Sequence, residues 1–321
     1  MQDKQFTVEE AFGFAGAQLP CRGMEKPCEF TPVKNDRYVF RKDILRVFRN
    51  FMESDAIGME LQGPKGSGKT TLPEQYCARL NLPLLSITAH ERTEPADLIG
   101  YNVLNADGST EFLPGPVTKA AMEGWAVLIN EANAMPPGTA TALNEFLQGS
   151  NVYIPELRMT IQPKDGFKII ATTNPEDDAS YRGRFLQDAA NADRYEKLVV
   201  DYMDAADEEQ LLAAELAGYG HEDPEPMAKS LVDVANRVRA MYKGGACRLT
   251  ISTRSLIRWA KRTLDFAGIE REGKNPLYYA LDLTVCNHTR DQTSVKAVKE
   301  TVFNVFGIHE TVEVPDASGS D

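Results

Sequence analysis

The chain has 321 residues, 42% of them hydrophobic, with 35 basic against 47 acidic side chains and a formal net charge of −12. That length suits a large α/β domain plus a smaller one, with enough apolar residues for a real core, and the acidic balance argues against a general nucleic-acid surface. The N-terminal "MQDKQFTVEEAFGF" lacks a basic region followed by an apolar run, no stretch approaches the roughly 20 apolar residues of a membrane span, and Cys21, Cys28, Cys77, Cys247 and Cys286 have no zinc-site spacing, so a reduced, cytoplasmic protein is expected.

Residues 1–35 read as a loop-rich extension punctuated by Pro20, Pro27 and Pro32. "DRYVFRKDILRVFRNFMES" then places Ile44, Leu45, Val47, Phe48 and Phe51 on one helix face. "AIGMELQG" is a short strand running into a Gly-rich turn, and "GKTTLPEQYCARLN" is a helix that tolerates Pro73 in its first turns. "LPLLSITA" is the next strand. "VLNADGSTEFLPG" carries Asp-Gly between extended pieces and predicts a hairpin. "PVTKAAMEG" is a helix, "WAVLINEA" a strand, and "PPGTATALNEFLQG" a helix opened by prolines and closed by Gly. "NVYIPELRMTIQPKDG" predicts a second hairpin, followed by the strands "FKIIATTNP" and "EKLVVDYM". From Asp207 to about Gly307 the pattern is helical, and the closing residues 311–321 are a polar tail. Strands alternating with helices predict a parallel sheet covered on both faces in residues 36–206, with a separate helical domain in 207–310.

The most specific motif is "GPKGSGKT", Gly63 to Thr70, which fits G-x-x-x-x-G-K-[ST] between a predicted strand and a predicted helix. Gly63, Pro64, Lys65, Gly66, Ser67, Gly68, Lys69, Thr70 and Thr71 would cradle phosphate oxygens with backbone N–H groups and the helix's positive end. Lys69 would reach the β- and γ-phosphates, and the Thr70 hydroxyl would ligate Mg²⁺. Glu131 ends an apolar strand and is a candidate to orient an attacking water. Asn174 ends the strand "KIIATTN", where an amide can touch both the γ-phosphate and that water; a turn residue before Pro175 is the plainer alternative. Arg194 stands just before a strand and Arg254 opens a helix of the second domain. Singly, each would pass as a solvated arginine, and their order after the phosphate loop is what singles them out.

That order resembles the AAA+ ATPases. The resemblance makes Gly63–Thr70 the Walker A loop, "AVLINE" the Walker B strand, Asn174 sensor 1, Arg194 the arginine finger and Arg254 sensor 2. It implies an α/β P-loop core with a C-terminal helical lid, ATP and Mg²⁺ as cofactors, and ATP hydrolysis. "DLIGYNV" with "GSTEFLPGPVTKAAMEG" is similar to the MoxR branch. "DRYVFRKD", "EQYCARLNLPL", "STRSLIRWAKR" and "VFNVFG" resemble the CobS-like small ATPase subunit of aerobic cobaltochelatase, with CbbQ/NorQ-type activases next. The branch implies a homo-oligomer, a hexamer, that works with a von Willebrand factor A-domain partner on a client protein. The two predicted hairpins would engage that partner. Two departures stand out. Asn130 occupies the Walker B position where the family has Asp, so Mg²⁺ would be held there through water without a charge and hydrolysis would slow. The stretch after Asn174 carries Arg182 and Arg184, either of which could compete with Arg194 for the trans role. Two other functions stay open: a McrB-like nucleic-acid motor with a basic stripe from Arg158, Lys164, Lys168, Arg182 and Arg184, and a nucleotide-gated scaffold that scarcely hydrolyses.

Overall fold

The computed structural model of the chain describes residues 2–155, 157–174 and 193–312. They fall into two compact units, one of Met1–Pro64 and Gly68–Asp201, the other of Lys65–Ser67 and Tyr202–Asp321.

The first unit begins with order where loop was expected. β1 (Asp3–Thr7) pairs antiparallel with β2 (Pro20–Met24), and α1 (Val8–Phe12) lies between them. A capping box opens α1: Thr7 Oγ1 accepts from the Glu10 amide at 3.2 Å, and the Glu10 carboxylate accepts from the Thr7 amide at 2.8 Å. Phe12 stacks on Tyr76 at 5.1 Å and meets Phe40 edge-on at 4.9 Å, so this extension is built into the core.

α2 (Lys42–Glu53) buries Ile44, Leu45, Phe48, Phe51 and Met52, while Val47, expected on the same face, is exposed. There follow β3 (Gly58–Gln62), α3 (Thr71–Arg79), β4 (Leu84–Thr88), α4 (Pro95–Ile99), β5 (Gly100–Leu104) and β6 (Thr110–Pro114). Then come α5 (Pro116–Glu123), β7 (Ala126–Asn130), α6 (Pro137–Thr141), α7 (Asn144–Leu147), β8 (Val152–Ile154), β9 (Met159–Ile161), β10 (Lys168–Thr173) and β11 (Glu196–Val199). The single helix predicted over "PPGTATALNEFLQG" is two short ones, α6 and α7, separated at Ala142 and Leu143.

β11, β3, β10, β7 and β4 form one sheet in that order, all parallel. β7 ("AVLIN") and β10 ("KIIATT") are almost wholly buried, as central strands covered on both faces must be. The edge strand β4 alternates between buried or half-buried and exposed positions. Side chains divide between the faces with period two: Leu128 and Ile170 join the cluster of Phe48, Leu72, Tyr76 and Leu80 on one side, and Val127, Ile129, Ile169 and Ala171 join Leu98, Val117, Ala120 and Phe146 on the other. β5–β6 and β8–β9 are separate antiparallel hairpins, as predicted.

The second unit is helical: α8 (Ala205–Gly218), α9 (Pro224–Lys243), α10 (Thr253–Asp265), α11 (Pro276–Thr284) and α12 (Gln292–Phe306). They enclose Leu216, Leu231, Val238, Trp259, Leu281 and Val298, and the Trp259 indole donates to Leu277 O at 2.9 Å. The polar tail begins in order, since the Asn275 amide donates to Glu310 O and the Val312 amide to Gly273 O.

Candidate nucleotide site

Between β3 and β10 the sheet's chain order switches, which opens a crevice at the strands' carboxyl ends. The loop after β3 is the predicted phosphate loop. Gly66 and Gly68 adopt φ of 76° and 97°, a left-handed region that side chains rarely enter, and a Cβ on Gly68 would meet nothing within 4 Å. These two glycines turn the backbone so that the loop closes on the start of α3. The Ser67 hydroxyl in this loop is buried without a hydrogen-bond partner, which suits a loop shaped around a polar ligand.

Lys69 is 8% exposed, and its ammonium donates to Gly63 O (2.7 Å), Pro64 O (2.8 Å) and Asn174 Oδ1 (2.9 Å). The Asn174 amide nitrogen in turn donates to Glu131 Oε2 at 2.8 Å. One amide, at the end of β10, thus joins the loop's cation to the carboxylate at the end of β7. Glu131 itself adopts φ 54°, ψ 40°, uncommon for a non-glycine residue, with its N–H donating to Thr172 Oγ1 at 3.2 Å. Asn133, the middle residue of the turn Ala132–Ala134 that follows, donates from Nδ2 to Asn174 O at 3.3 Å.

The Thr70 hydroxyl donates to Asn130 Oδ1 at 2.8 Å, which leaves its lone pairs available. Asn130 Oδ1 also accepts from Thr172 Oγ1 (3.3 Å), and its nitrogen donates to Ser86 Oγ (3.2 Å) on β4. The protein oxygens here are neutral, and among the described residues no cluster of three His, Cys, Asp or Glu could hold a metal unaided. Thr70 and Asn130 fit a Mg²⁺ ion whose charge is balanced by phosphates, Thr70 directly and Asn130 through water.

Ser86, Thr172 and Glu60 were not singled out from the sequence. The "TTN" at the end of β10 carried a usable signal. Alternation sends Thr172 toward Asn130 and Thr173 the other way, where its hydroxyl donates to Glu60 Oε1 at 2.7 Å. Glu60 is 2% exposed, takes a second hydrogen bond from Gln62 and pairs with Lys197 at 3.7 Å.

Arg194 lies before β11, which runs parallel to β3, so it sits at the amino end of the sheet beside Gly58. With the Gln148 amide turned so that its oxygen faces the guanidinium, Gln148 Oε1 accepts from Arg194 Nε at 3.2 Å and Nη2 at 3.3 Å. The length of β3, roughly 16 Å at 3.3 Å per residue, separates it from its own phosphate loop. Arg254 is exposed in the first turn of α10 in the second unit. Arg182 and Arg184 lie outside the described residues. Lys168, once a candidate for a basic stripe, is buried and donates to Ser54 O and Ala56 O, both at 2.6 Å, so it offers no charge to a nucleic acid.

The fold and the crevice define an AAA+ protein of the P-loop class. Residues 58–194 match the AAA domain family of the dynein-related subfamily, and residues 208–304 match the CbbQ/NirQ/NorQ C-terminal family. The chain therefore carries an AAA domain followed by a CbbQ/NirQ/NorQ C-terminal domain, consistent with a MoxR-type AAA+ ATPase. It is 25% identical to the aerobic cobaltochelatase subunit CobS of a Sinorhizobium species over 96% of this chain and 92% of that protein. Against the denitrification regulatory protein NirQ of Stutzerimonas stutzeri identity is 25% over 77% of this chain and 84% of the other. Midasin of Dictyostelium discoideum is 29% identical over 63% of this chain, which spans only 3% of that protein. Among solved structures, NtrX from Brucella abortus aligns with a TM-score of 0.47 at 15% identity, over 71% of this chain and 50% of that one.

Proposed function

We propose that this chain is the ATP-hydrolysing subunit of a homo-oligomeric ring of six, and that its nucleotide cycle remodels or metal-loads a client protein together with a von Willebrand factor A-domain partner. The observation that carries the hydrolytic part is the relay Lys69–Asn174–Glu131, because it places a fixed cation, an amide and a carboxylate along one edge of the crevice. Lys69 and the loop amides of Gly63–Thr71 bind and orient the β- and γ-phosphates. Glu131 accepts a hydrogen bond from the attacking water, and Asn174 fixes the Glu131 carboxylate while contacting the γ-phosphate. Thr70 and, through water, Asn130 would hold Mg²⁺, which would supply neutralisation of the phosphate charge. Arg194 faces away from its own loop and serves the γ-phosphate of a neighbouring subunit; Arg254 senses nucleotide from the helical unit.

The partner reading is supported by the hairpins. Tyr101 and Leu113 face each other across β5–β6 and are exposed, as are Leu104, Tyr153 and Met159. CobS is named as a subunit of an aerobic cobaltochelatase, which favours metal loading over other remodelling. Among the described residues no helix is long and apolar enough to cross a membrane, and a cytoplasmic setting fits the reduced cysteines. Asn130 favours one second reading, a nucleotide-gated scaffold, since the neutral amide lacks the charge that the metal site ordinarily has. Lys69→Ala tests the base of all this: titration with a fluorescent ATP analogue is expected to show binding lost, and retained affinity overturns the phosphate-loop reading. Steady-state phosphate release by the wild type, with and without partner, separates motor from scaffold.

A further inference from the structure

In the second unit, Glu208 on α8 and Arg239 on α9 form an ion pair withdrawn from water. Glu208 is fully buried, and the guanidinium engages both its oxygens, Nη1 to Oε2 at 2.7 Å and Nη2 to Oε1 at 2.8 Å. Burying two charges seldom stabilises a fold more than apolar side chains of equal volume would, so such a pair calls for a role other than stability.

What the pair holds identifies that role. Arg239 Nε donates to Ile251 O at 2.7 Å, and Thr253 Oγ1 donates to Glu208 Oε1 at 2.6 Å. Between them Ser252 caps α10, its hydroxyl accepting from the Ser255 amide at 3.1 Å. Three consecutive residues are thus each anchored by a separate bond, immediately ahead of Arg254, whose side chain is exposed. Arg239 Nη1 is steadied further by Asn236 Oδ1 at 3.0 Å. Its guanidinium also lies over the Tyr202 ring, 4.1 Å from the centroid, and Tyr202 opens the C-terminal stretch of this unit.

We propose that the Glu208–Arg239 pair is a positioning device for Arg254: it fixes the backbone that carries the Arg254 guanidinium and ties it to the linker residue Tyr202, so that linker and guanidinium turn as one body through the nucleotide cycle. The proposal rests on the reading of Arg254 as the nucleotide-sensing arginine and adds what aims it. A rigid base with an exposed tip suits a group that must reach a ligand at a set angle. An ångström of misplacement at such a group costs far more activity than stability.

The test is a double-mutant cycle on the full chain. Arg239→Lys keeps the charge but loses the fork and the bond to Ile251. Thr253→Val is isosteric, removes a single hydrogen bond and remains readable if the lysine variant fails to fold. Affinity for a fluorescent ATP analogue, phosphate release and the thermal midpoint are measured for each in the wild-type and Arg254→Ala backgrounds. Each variant is expected to lower hydrolysis about tenfold in the wild-type background. In the Arg254→Ala background neither affinity nor hydrolysis falls further, while the thermal midpoint drops equally in both. Equal functional losses in both backgrounds mark a merely structural pair and overturn the proposal, as do unimpaired Arg239→Lys and Thr253→Val beside an impaired Arg254→Ala. An unimpaired Arg254→Ala instead overturns the reading of Arg254 itself, and the positioning proposal falls with it.

Discussion

Asn130 touches three hydroxyls, and their arrangement determines what a carboxylate would do in its place. Its carbonyl oxygen faces Thr70, the residue assigned to the metal, and its nitrogen faces Ser86. In Asn130→Asp the Ser86 hydroxyl can rotate from acceptor to donor, so the exchange strands no polar group. The added charge attracts Mg²⁺ across a water, a gain of about 1–2 kcal/mol at an effective dielectric near 20 once desolvation is discounted. Repulsion from Glu131 and the triphosphate opposes it, partly cancelled by the metal lying between. Asn130→Asp is therefore expected to need less Mg²⁺ for half-maximal phosphate release and to turn over several-fold faster, whereas Glu131→Gln stays nearly inactive in either background. An unchanged Mg²⁺ requirement would mean that Asn130 does not act on the metal. A silent wild type switched on by Asn130→Asp would favour the scaffold reading. Glu131 adds its own cost, because its left-handed backbone disfavours an L side chain by about 1–2 kcal/mol, a strain that its interactions with Thr172 and Asn174 must offset.

Among the elements, β10 carries load at both ends. Its carboxyl end presents Thr172 and Asn174 to the crevice, and its amino end presents Lys168 to the turn between α2 and β3. Burial, followed by the nearby Arg22, pulls the Lys168 ammonium down to about 8. The sign follows from linkage. With a folded value below the unfolded one, near 10.5, the cost of burying the charge is fully present below about pH 8 and is relieved as pH rises toward 10.5. Wild-type stability relative to Lys168→Met is thus expected to increase between pH 8 and 10.5, read as the difference in urea midpoints so that titrating tyrosines and cysteines cancel. A difference that is flat or shrinks with pH contradicts a buried, depressed lysine. The same strand shows where the sequence was informative. "KIIATTN" announced a central strand ending in a polar residue, because a run buried on both faces has no alternation to misread, and the phosphate loop was legible because its glycines answer to backbone geometry alone. The order within residues 1–35 was not, since strands of five residues with few apolar side chains leave little periodicity; only "TVEE" marked the capped turn. The break between α6 and α7 was hidden because Ala142 and Leu143 are good helix formers, so tertiary packing overrode propensity there. Glu60 and Gln148 were invisible for another reason. Their partners Thr173 and Arg194 lie far off in sequence, and a long-range hydrogen bond leaves no local pattern.

For the molecule as a whole, Arg194 at the amino end of the sheet raises a geometric constraint. The phosphate loop lies at the carboxyl end, about one strand length away, which is further than an arginine side chain can reach. If Arg194 acts on a γ-phosphate at all, that phosphate belongs to another subunit, and ATP becomes part of the boundary between them. Two consequences follow from sharing the ligand. A slowly hydrolysed ATP analogue is expected to drive assembly toward six chains by light scattering, because each bound nucleotide adds contacts to both neighbours. Arg194→Ala is expected to bind ATP nearly as well as the wild type yet release phosphate on the order of 10³-fold more slowly. The decisive form mixes subunits. An Arg194→Ala chain keeps an intact loop and Glu131 but lends no arginine to its neighbour; a Glu131→Gln chain lends the arginine but cannot use the water. Where the second abuts the first in the productive order, one complete site forms from two defective chains, at roughly one interface in four for random equal mixing around a closed ring. Phosphate release well above the sum of the two pure variants is the expected result. A mixture no better than that sum removes Arg194 from the neighbour's site and leaves the trans role to another arginine, Arg182 and Arg184 being the next to replace.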